Sequence, residues 1–166
     1  MPDADGRRPV TDPDIDLREP GQRAELRRAP WTTLGAISAG GACGALARYG
    51  VAEAFGHPPG AFAWATLIVN VTGCLLIGAL MVAITEVWDA HRLARPFLGV
   101  GVLGGYTTFS TYVVDAQRAV EAGSPGTALV YLAVTPVGAL VAVFAGVRLA
   151  RFLARSMGVT SGREEA

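Results

Sequence analysis

The chain has 166 residues, and its 14 basic residues, all Arg, balance 14 Asp and Glu to a formal net charge of zero. Charged residues make up 17% of the sequence, below the roughly 25% usual in soluble domains. The chain has no concentrated basic patch, which a nucleic-acid-binding protein would need. This composition therefore excludes nucleic acid as a partner.

The charges are unevenly placed along the chain. Residues 1–30 carry 13 of the 28 charges and five prolines, whereas residues 31–150 carry only 10 charges. A polar, proline-rich segment with few apolar residues does not bury enough surface to fold. We therefore expect a disordered charged tail over residues 1–30, a membrane domain over residues 31–152 and a short polar tail over residues 153–166.

Four uncharged runs divide the membrane domain. They cover residues 31–47, 58–85, 96–114 and 122–147, with 17, 28, 19 and 26 residues. A helix needs about 20 apolar residues to cross a hydrocarbon core about 30 Å thick. A soluble bundle would place a polar face on each helix, and these runs have none. The sequence predicts an all-α membrane protein with four transmembrane helices.

The arginines predict the orientation of these helices. One face of the membrane holds only Arg118, together with Arg48 if the first helix ends before it. The positive-inside rule then places both termini in the cytoplasm and the protein in the cell inner (plasma) membrane as a multi-pass protein. The arginines of the other side are Arg23, Arg27, Arg28, Arg92, Arg95, Arg148, Arg151 and Arg155.

The residues that an enzyme would use are missing from the pattern. No nucleophile and base stand at a spacing that implies a catalytic set, so we do not expect an enzyme. A proton-coupled exporter would need an ionisable group deep in the membrane, and Arg48 is the deepest charge that we predict. The carboxylates fall at predicted helix ends: Glu53, Glu86, Asp89, Asp115 and Glu121.

The third run is rich in glycine. Gly99, Gly101, Gly104 and Gly105 fall within seven residues, and each costs about 1 kcal/mol against Ala in a helix. A helix break near Gly104–Thr107 is predicted, with a closely packed glycine-rich helix as the alternative. Broken backbone at membrane depth is tolerated only where it is buried in protein or lines a cavity.

Hydrogen-bond donors and aromatic rings cluster beyond the predicted break. Phe109 and Tyr112 share one helix face, with the hydroxyls of Ser110 and Thr111 beside them. Asn70 is the one amide in the second run, and it either bonds to a neighbouring helix or lines a pore. Aromatic edges carry partial positive charge. Such a lining suits a small anion better than a cation.

Three sequence blocks resemble the signature blocks of the Fluc/CrcB family of fluoride channels. They are GGACGALARY at residues 40–49, TLIVNVTG at residues 66–73 and GGYTTFSTY at residues 104–112. The resemblance covers about residues 33–150. It implies a passive fluoride-selective channel that exports cytoplasmic F⁻ and protects the cell, built as an antiparallel dual-topology dimer of four-helix subunits.

The resemblance also implies roles for single residues. Tyr112 departs from the family pattern, which has Phe there, and this departure implies either an altered pore or a weaker pore contribution from this subunit. By this resemblance, Arg48 draws anions to a vestibule. Backbone carbonyls of Gly104 and Thr107 hold a structural Na⁺ at the dimer centre, and this ion is not transported. The implied pore residues are Asn70, Phe109, Ser110, Thr111 and Tyr112.

Two other functions stay open. One is a small four-helix multidrug or cation exporter, and the other is a non-conducting subunit or membrane scaffold. The strong arginine bias is unexpected in a dual-topology homodimer. The partner subunit is therefore either a second copy or an oppositely oriented paralogue.

Overall fold

A computed structural model describes residues 30–87 and 93–156 of the chain. These residues form helices and connecting loops without any strand, which confirms the predicted all-α class for this part of the chain. The predicted tail over residues 1–29, the loop with Asp89 and Arg92, and residues 157–166 lie outside the described residues. The helices are α1 (Pro30–Ala54), α2 (Trp64–Val82, continued by a π-helical turn over Ala83–Val87), α3 (π-helical Arg95–Leu103, then an α turn over Gly104–Tyr106), α4 (Ser110–Glu121) and α5 (Pro125–Ser156).

Within residues 30–87 and 93–156, three helical segments are long and apolar enough to cross a membrane. They cover Trp64–Glu86, Arg95–Glu121 and Pro125–Ser156, with 23, 27 and 32 residues. Helix α1 has 25 residues and rises about 38 Å, but it is not among the three because Gly, Ala and hydroxyl residues make it less apolar. The predicted fourth transmembrane helix, which corresponds to α1, therefore stays a prediction.

Large apolar side chains point outwards from the single chain. Leu140 is 63% exposed and Phe144 is 70% exposed, both on α5. A soluble monomer rarely leaves so continuous an apolar surface uncovered. This apolar surface is suited to contact with lipid or with a partner subunit.

Glycines allow the helices to pack with their backbones almost in contact. A Cβ at Gly78 would collide with the carbonyl of Val143, and one at Gly146 with that of Leu75, which fixes the crossing of α2 and α5. A Cβ at Gly101 would lie 2.8 Å from the carbonyl oxygen of Ile37, across the contact of α1 and α3. Small residues at such crossings are typical of packing inside membranes.

The backbone between α3 and α4 is not helical. Helical structure stops at Tyr106 and resumes at Ser110, and Thr107 is extended with φ −74° and ψ 158°. A small aromatic core lies next to this segment, at the start of α4. Tyr112, Tyr131 and Phe62 pack there with ring centroids 5.2 and 5.4 Å apart.

Candidate functional site

The amide of Asn70 binds the backbone of the extended segment. Its Nδ2 donates to the carbonyl oxygen of Thr108 at 2.9 Å, and the Thr108 N–H donates to Asn70 Oδ1 at 2.9 Å. Backbone groups that leave a helix inside a membrane need partners from the protein. A side-chain amide supplies one donor and one acceptor side by side, so it replaces both missing helical bonds of Thr108.

This arrangement diverts N–H groups from two carbonyls upstream. In a continuous helix, Thr108 and Thr111 would donate to the carbonyls of Gly104 and Thr107. Here the Thr108 N–H goes to Asn70, and the Thr111 N–H goes to Thr108 Oγ1 at 3.2 Å. The carbonyls of Gly104 and Thr107 are thereby left without their helical donors, and Gly104 is exposed on the surface of the single chain.

Two cavities meet at Thr108, which lines both. The first, called here the Arg48 cavity, has a volume of about 240 Å³, and the second, the Asn70 cavity, of about 450 Å³. The polar and aromatic lining is Arg48, Tyr49, Thr66, Thr108 and Thr111 in the Arg48 cavity, and Asn70, Thr107, Thr108, Phe109, Tyr112 and Thr135 in the Asn70 cavity.

The structure brings most of the residues singled out in the sequence to these two cavities. Arg48 and Thr111 line the Arg48 cavity. The Asn70 cavity is lined by Asn70, Gly104, Thr107, Phe109 and Tyr112. Ser110 lines neither, and its Oγ lies 3.4 Å from Thr108 Oγ1. The Phe109 ring is 77% exposed in the single chain and lies 5.7 Å from the Tyr112 ring.

The hydroxyl of Tyr112 has a local partner. It donates to the carbonyl oxygen of Leu132 on α5 at 2.6 Å. That carbonyl would normally accept from the residue four positions later, which is Pro136 and has no N–H. Tyr112 therefore satisfies a carbonyl that the proline leaves without a donor.

The family model for "CrcB-like protein, Camphor Resistance (CrcB)" matches residues 35–147, well over half of the chain. The chain belongs to this family. The family resemblance carried by the three sequence blocks is thus confirmed. Curated relatives that match the chain are named as ion channels rather than enzymes, and the family match with the three apolar helical spans makes the chain a multi-pass membrane protein.

Curated relatives in the family cover most of the chain. The "Fluoride-specific ion channel FluC 2" of Streptomyces avermitilis is 50% identical over 126 residues, which are 76% of this chain and 80% of that protein. The protein of the same name from Nocardia farcinica is 53% identical over 117 residues, 70% of this chain and 84% of that one. A second S. avermitilis protein, "Fluoride-specific ion channel FluC 3", is 43% identical over 96 residues, 58% of this chain and 46% of that one.

The position of Asp115 differs from the prediction. It was expected at a helix end, but α4 runs from Ser110 to Glu121, so Asp115 lies in mid-helix and is buried. Its Oδ2 accepts from the Thr66 hydroxyl at 2.7 Å, and its Oδ1 lies 3.8 Å from the Arg118 guanidinium. A charged residue does not mark the end of the helix here, because the Asp115 carboxylate has the Thr66 hydroxyl and the Arg118 guanidinium beside it.

Two hydroxyls were missed altogether. The Tyr131 OH and the Thr135 Oγ1 are buried without a hydrogen-bond partner among the described residues. A buried polar atom without a partner is costly, and such atoms mark places where something else binds. Their spacing of four within the uncharged run over residues 122–147 was the signal in the sequence.

Proposed function

We propose that this chain is a passive fluoride-selective channel, with the Asn70 cavity as part of the ion pathway. One observation carries the proposal: among the described residues, that cavity is lined by an amide, hydroxyls and aromatic rings, and by no charged side chain. Such groups replace the water around a small anion through N–H and O–H donors and positive ring edges. The fluoride channels among its relatives add support.

Within this pathway the residues have distinct roles. Asn70 keeps one amide N–H beyond its bond to Thr108, and Phe109 and Tyr112 offer ring edges. Ser110 and Thr111 belong to a hydroxyl track, to which we add the hydroxyl of Thr135, a residue that lines the Asn70 cavity. On the Arg48 cavity, the guanidinium raises the local anion concentration, as a charge at a cleft does.

The direction of transport follows from acid–base chemistry. HF crosses membranes uncharged and dissociates in a more alkaline cytoplasm, which traps F⁻. A passive channel lets the ion leave down its electrochemical gradient and so protects the cell. No ATP-binding loop of the GxxxxGK[ST] type occurs in the sequence, and none is required.

A structural Na⁺ also belongs to the proposal. No group of three His, Cys, Asp or Glu side chains converges in residues 30–87 and 93–156, so a cation there needs backbone oxygens. The Gly104 and Thr107 carbonyls, deprived of their helical donors, fit a hard cation of this kind. Paired with their copies in a second subunit, they would hold Na⁺ at the dimer centre and brace the break in the third membrane helix.

The subunit arrangement that we propose is an antiparallel dimer of four-helix subunits, with α1 as the fourth crossing. The exposed ring of Phe109 and the exposed backbone of Gly104 fit a site that a second subunit completes. The strong arginine bias favours an oppositely inserted paralogue as the partner. Two separate fluoride channels in S. avermitilis, FluC 2 and FluC 3, show that one organism can hold more than one such chain.

Fluoride efflux from proteoliposomes tests the function. Vesicles loaded with F⁻ and holding the purified chain should release it rapidly once a potassium ionophore clamps the voltage, while matched Cl⁻-loaded vesicles retain their anion. Fluoride release no faster than from protein-free vesicles would contradict a self-sufficient channel. If activity then appeared on adding an oppositely oriented paralogue, the chain would be a subunit of a heterodimer.

The second candidate is a cation or multidrug exporter, and buried Asp115 is the observation that favours it. Asp115, however, accepts a hydrogen bond from Thr66 and faces Arg118, and it lines neither the Arg48 cavity nor the Asn70 cavity. An exporter would move a cationic dye against a proton gradient in the same vesicles. Dye transport without fluoride release would select this candidate.

Terminus accessibility tests the orientation. The chain expressed alone, with a protease-cleavable tag at its C-terminus, should have that tag protected from external protease in intact cells, because the arginines retain both termini in the cytoplasm. Permeabilised cells provide the control for cleavage. Equal populations of protected and cleaved tag would favour a dual-topology homodimer instead.

A further inference from the structure

Three arginines and a phenylalanine form a surface pocket at the end of α5, far from the two cavities described above. This arginine pocket is lined by Arg148, Arg151, Phe152 and Arg155 and has a volume of about 270 Å³. The arginines are separated by three and four positions, so they lie on one face of the helix. Nothing in the proposed ion pathway uses them.

One of the three arginines is held in place. The Nε and Nη2 atoms of Arg151 donate to Glu86 Oε1 at 2.9 and 2.7 Å, and Glu86 lies in the π-helical turn that ends α2. Arg148 and Arg155 form no ion pair with a carboxylate within the described parts of the chain. Among the described residues, three guanidinium groups thus share one paired carboxylate, Glu86, and the pocket has an excess of positive charge.

The pocket lies at the depth of lipid head groups. From Pro125 to Arg148 the helix rises about 35 Å, slightly more than the hydrocarbon core of about 30 Å. Arg148 therefore reaches the boundary of the hydrocarbon when α5 starts at the other boundary. Arg151 and Arg155 lie about 4 and 10 Å further along the axis, within and beyond the head-group layer.

We propose that the arginine pocket binds the phosphodiester of an anionic phospholipid of the surrounding membrane. Arg presents a planar fork of N–H donors that matches phosphate oxygens, and basic pockets at this depth recognise anionic head groups. Glu86 pre-orients Arg151, so less side-chain freedom is lost on binding. Phe152, 68% exposed beside the arginines, offers an apolar contact to the glycerol and upper acyl chain.

A lipid titration tests this site. The full-length protein in a neutral detergent is titrated with dioctanoyl phosphatidylglycerol, and the dissociation constant is measured by thermophoresis. Dioctanoyl phosphatidylcholine serves as the zwitterionic lipid, and sodium phosphate as the head-group chemistry without a lipid. We expect saturable binding of phosphatidylglycerol, with phosphatidylcholine and phosphate each at least about tenfold weaker.

Charge variants place the binding in the pocket. Arg148→Gln combined with Arg155→Gln should raise the dissociation constant for phosphatidylglycerol about 30-fold, which corresponds to about 1 kcal/mol for each arginine. The matched Arg→Lys pair, which retains the charge, should keep part of the affinity. Arg118→Gln is the control, because Arg118 lies on α4 towards the loop where α5 begins.

Several outcomes would overturn the proposal. Equal affinity for the two lipids, or an Arg148→Gln/Arg155→Gln variant that elutes as a folded protein and binds phosphatidylglycerol as the wild type does, would remove the site. Phosphate binding as tight as the lipid would reassign the pocket to a soluble anion. If the Arg148→Gln/Arg155→Gln variant does not fold, the Arg148→Lys/Arg155→Lys variant is tested in its place. Equal binding of phosphatidylglycerol and phosphatidylcholine by that variant would overturn the proposal.

Discussion

Fluoride efflux through the Asn70→Ala variant should fall by roughly 100-fold while the protein still assembles. Alanine leaves the N–H and C=O of Thr108 without partners, and each unsatisfied backbone group costs about 1–3 kcal/mol. The free amide N–H that faces the Asn70 cavity is lost as well. A loss of about 2.8 kcal/mol along the ion pathway is a factor of about 100 in rate. Efflux from proteoliposomes at equal protein density measures it.

Two further substitutions separate the roles of Asn70. Asn70→Asp keeps an acceptor for the Thr108 N–H but has no donor for the Thr108 carbonyl, and it adds a negative charge to an anion pathway. It should therefore conduct no better than Asn70→Ala. Asn70→Gln retains the amide and should conduct better than both.

Thr85→Val is the control for Asn70, because the Thr85 hydroxyl only bonds to Met81 within its own helix, at 2.7 Å. It should conduct like the wild type. Efflux through Asn70→Ala within twofold of the wild type, with normal elution in size-exclusion chromatography, would contradict the assignment of Asn70 to the pathway.

The second large effect concerns stability rather than conduction. Tyr112→Phe should lower the free energy of unfolding by about 1–3 kcal/mol, because the carbonyl of Leu132 then has no donor. Pro136→Ala supplies the missing N–H from within α5. In the Pro136→Ala background, Tyr112→Phe should therefore cost much less. Unfolding in mixed detergent micelles measures all four members of this cycle, and a coupling energy of about 1–2 kcal/mol is expected.

Tyr106→Phe provides a matched control for this cycle. The Tyr106 hydroxyl lies 3.0 Å from the exposed Thr72 hydroxyl, so its removal should change stability little and show no coupling to Pro136. Conduction through Tyr112→Phe should be at least that of the wild type, since the ring remains in the Asn70 cavity and only its hydroxyl is lost. Equal stability losses for the two Tyr→Phe variants would show that Tyr112 does not satisfy the Leu132 carbonyl.

The sequence predicted the class of the protein well, because class depends on local properties. The length of an uncharged run and the absence of a polar face are read directly from the order of residues. Among the described residues, α2, α3 together with α4, and α5 form three spans that meet this description, and the family model matches residues 35–147. Helix α1 meets the length but not the composition, because Gly and Ala allow close packing at the expense of hydrophobicity.

The boundaries of elements were less well predicted. Asp115 was taken as a boundary residue, since an ionised carboxylate is rarely buried without partners. The partners exist, but Thr66 lies 49 positions away and on another helix. The residues next to Asp115 in the sequence do not predict its hydrogen bond with Thr66.

Identity, membrane class and the residue types of the candidate pore followed from the amino-acid sequence, because charge content and the three sequence blocks are properties of the chain itself. Only the tertiary structure shows which groups these residues contact. Asn70 had two interpretations until its amide was found on the backbone of Thr108, and the hydroxyl of Tyr112 had no role until it was found opposite the carbonyl that Pro136 leaves free. Both contacts join segments far apart in the sequence, Asn70 to the extended segment at Thr108 and Tyr112 to α5, and such contacts depend on how the helices cross, which no local pattern specifies.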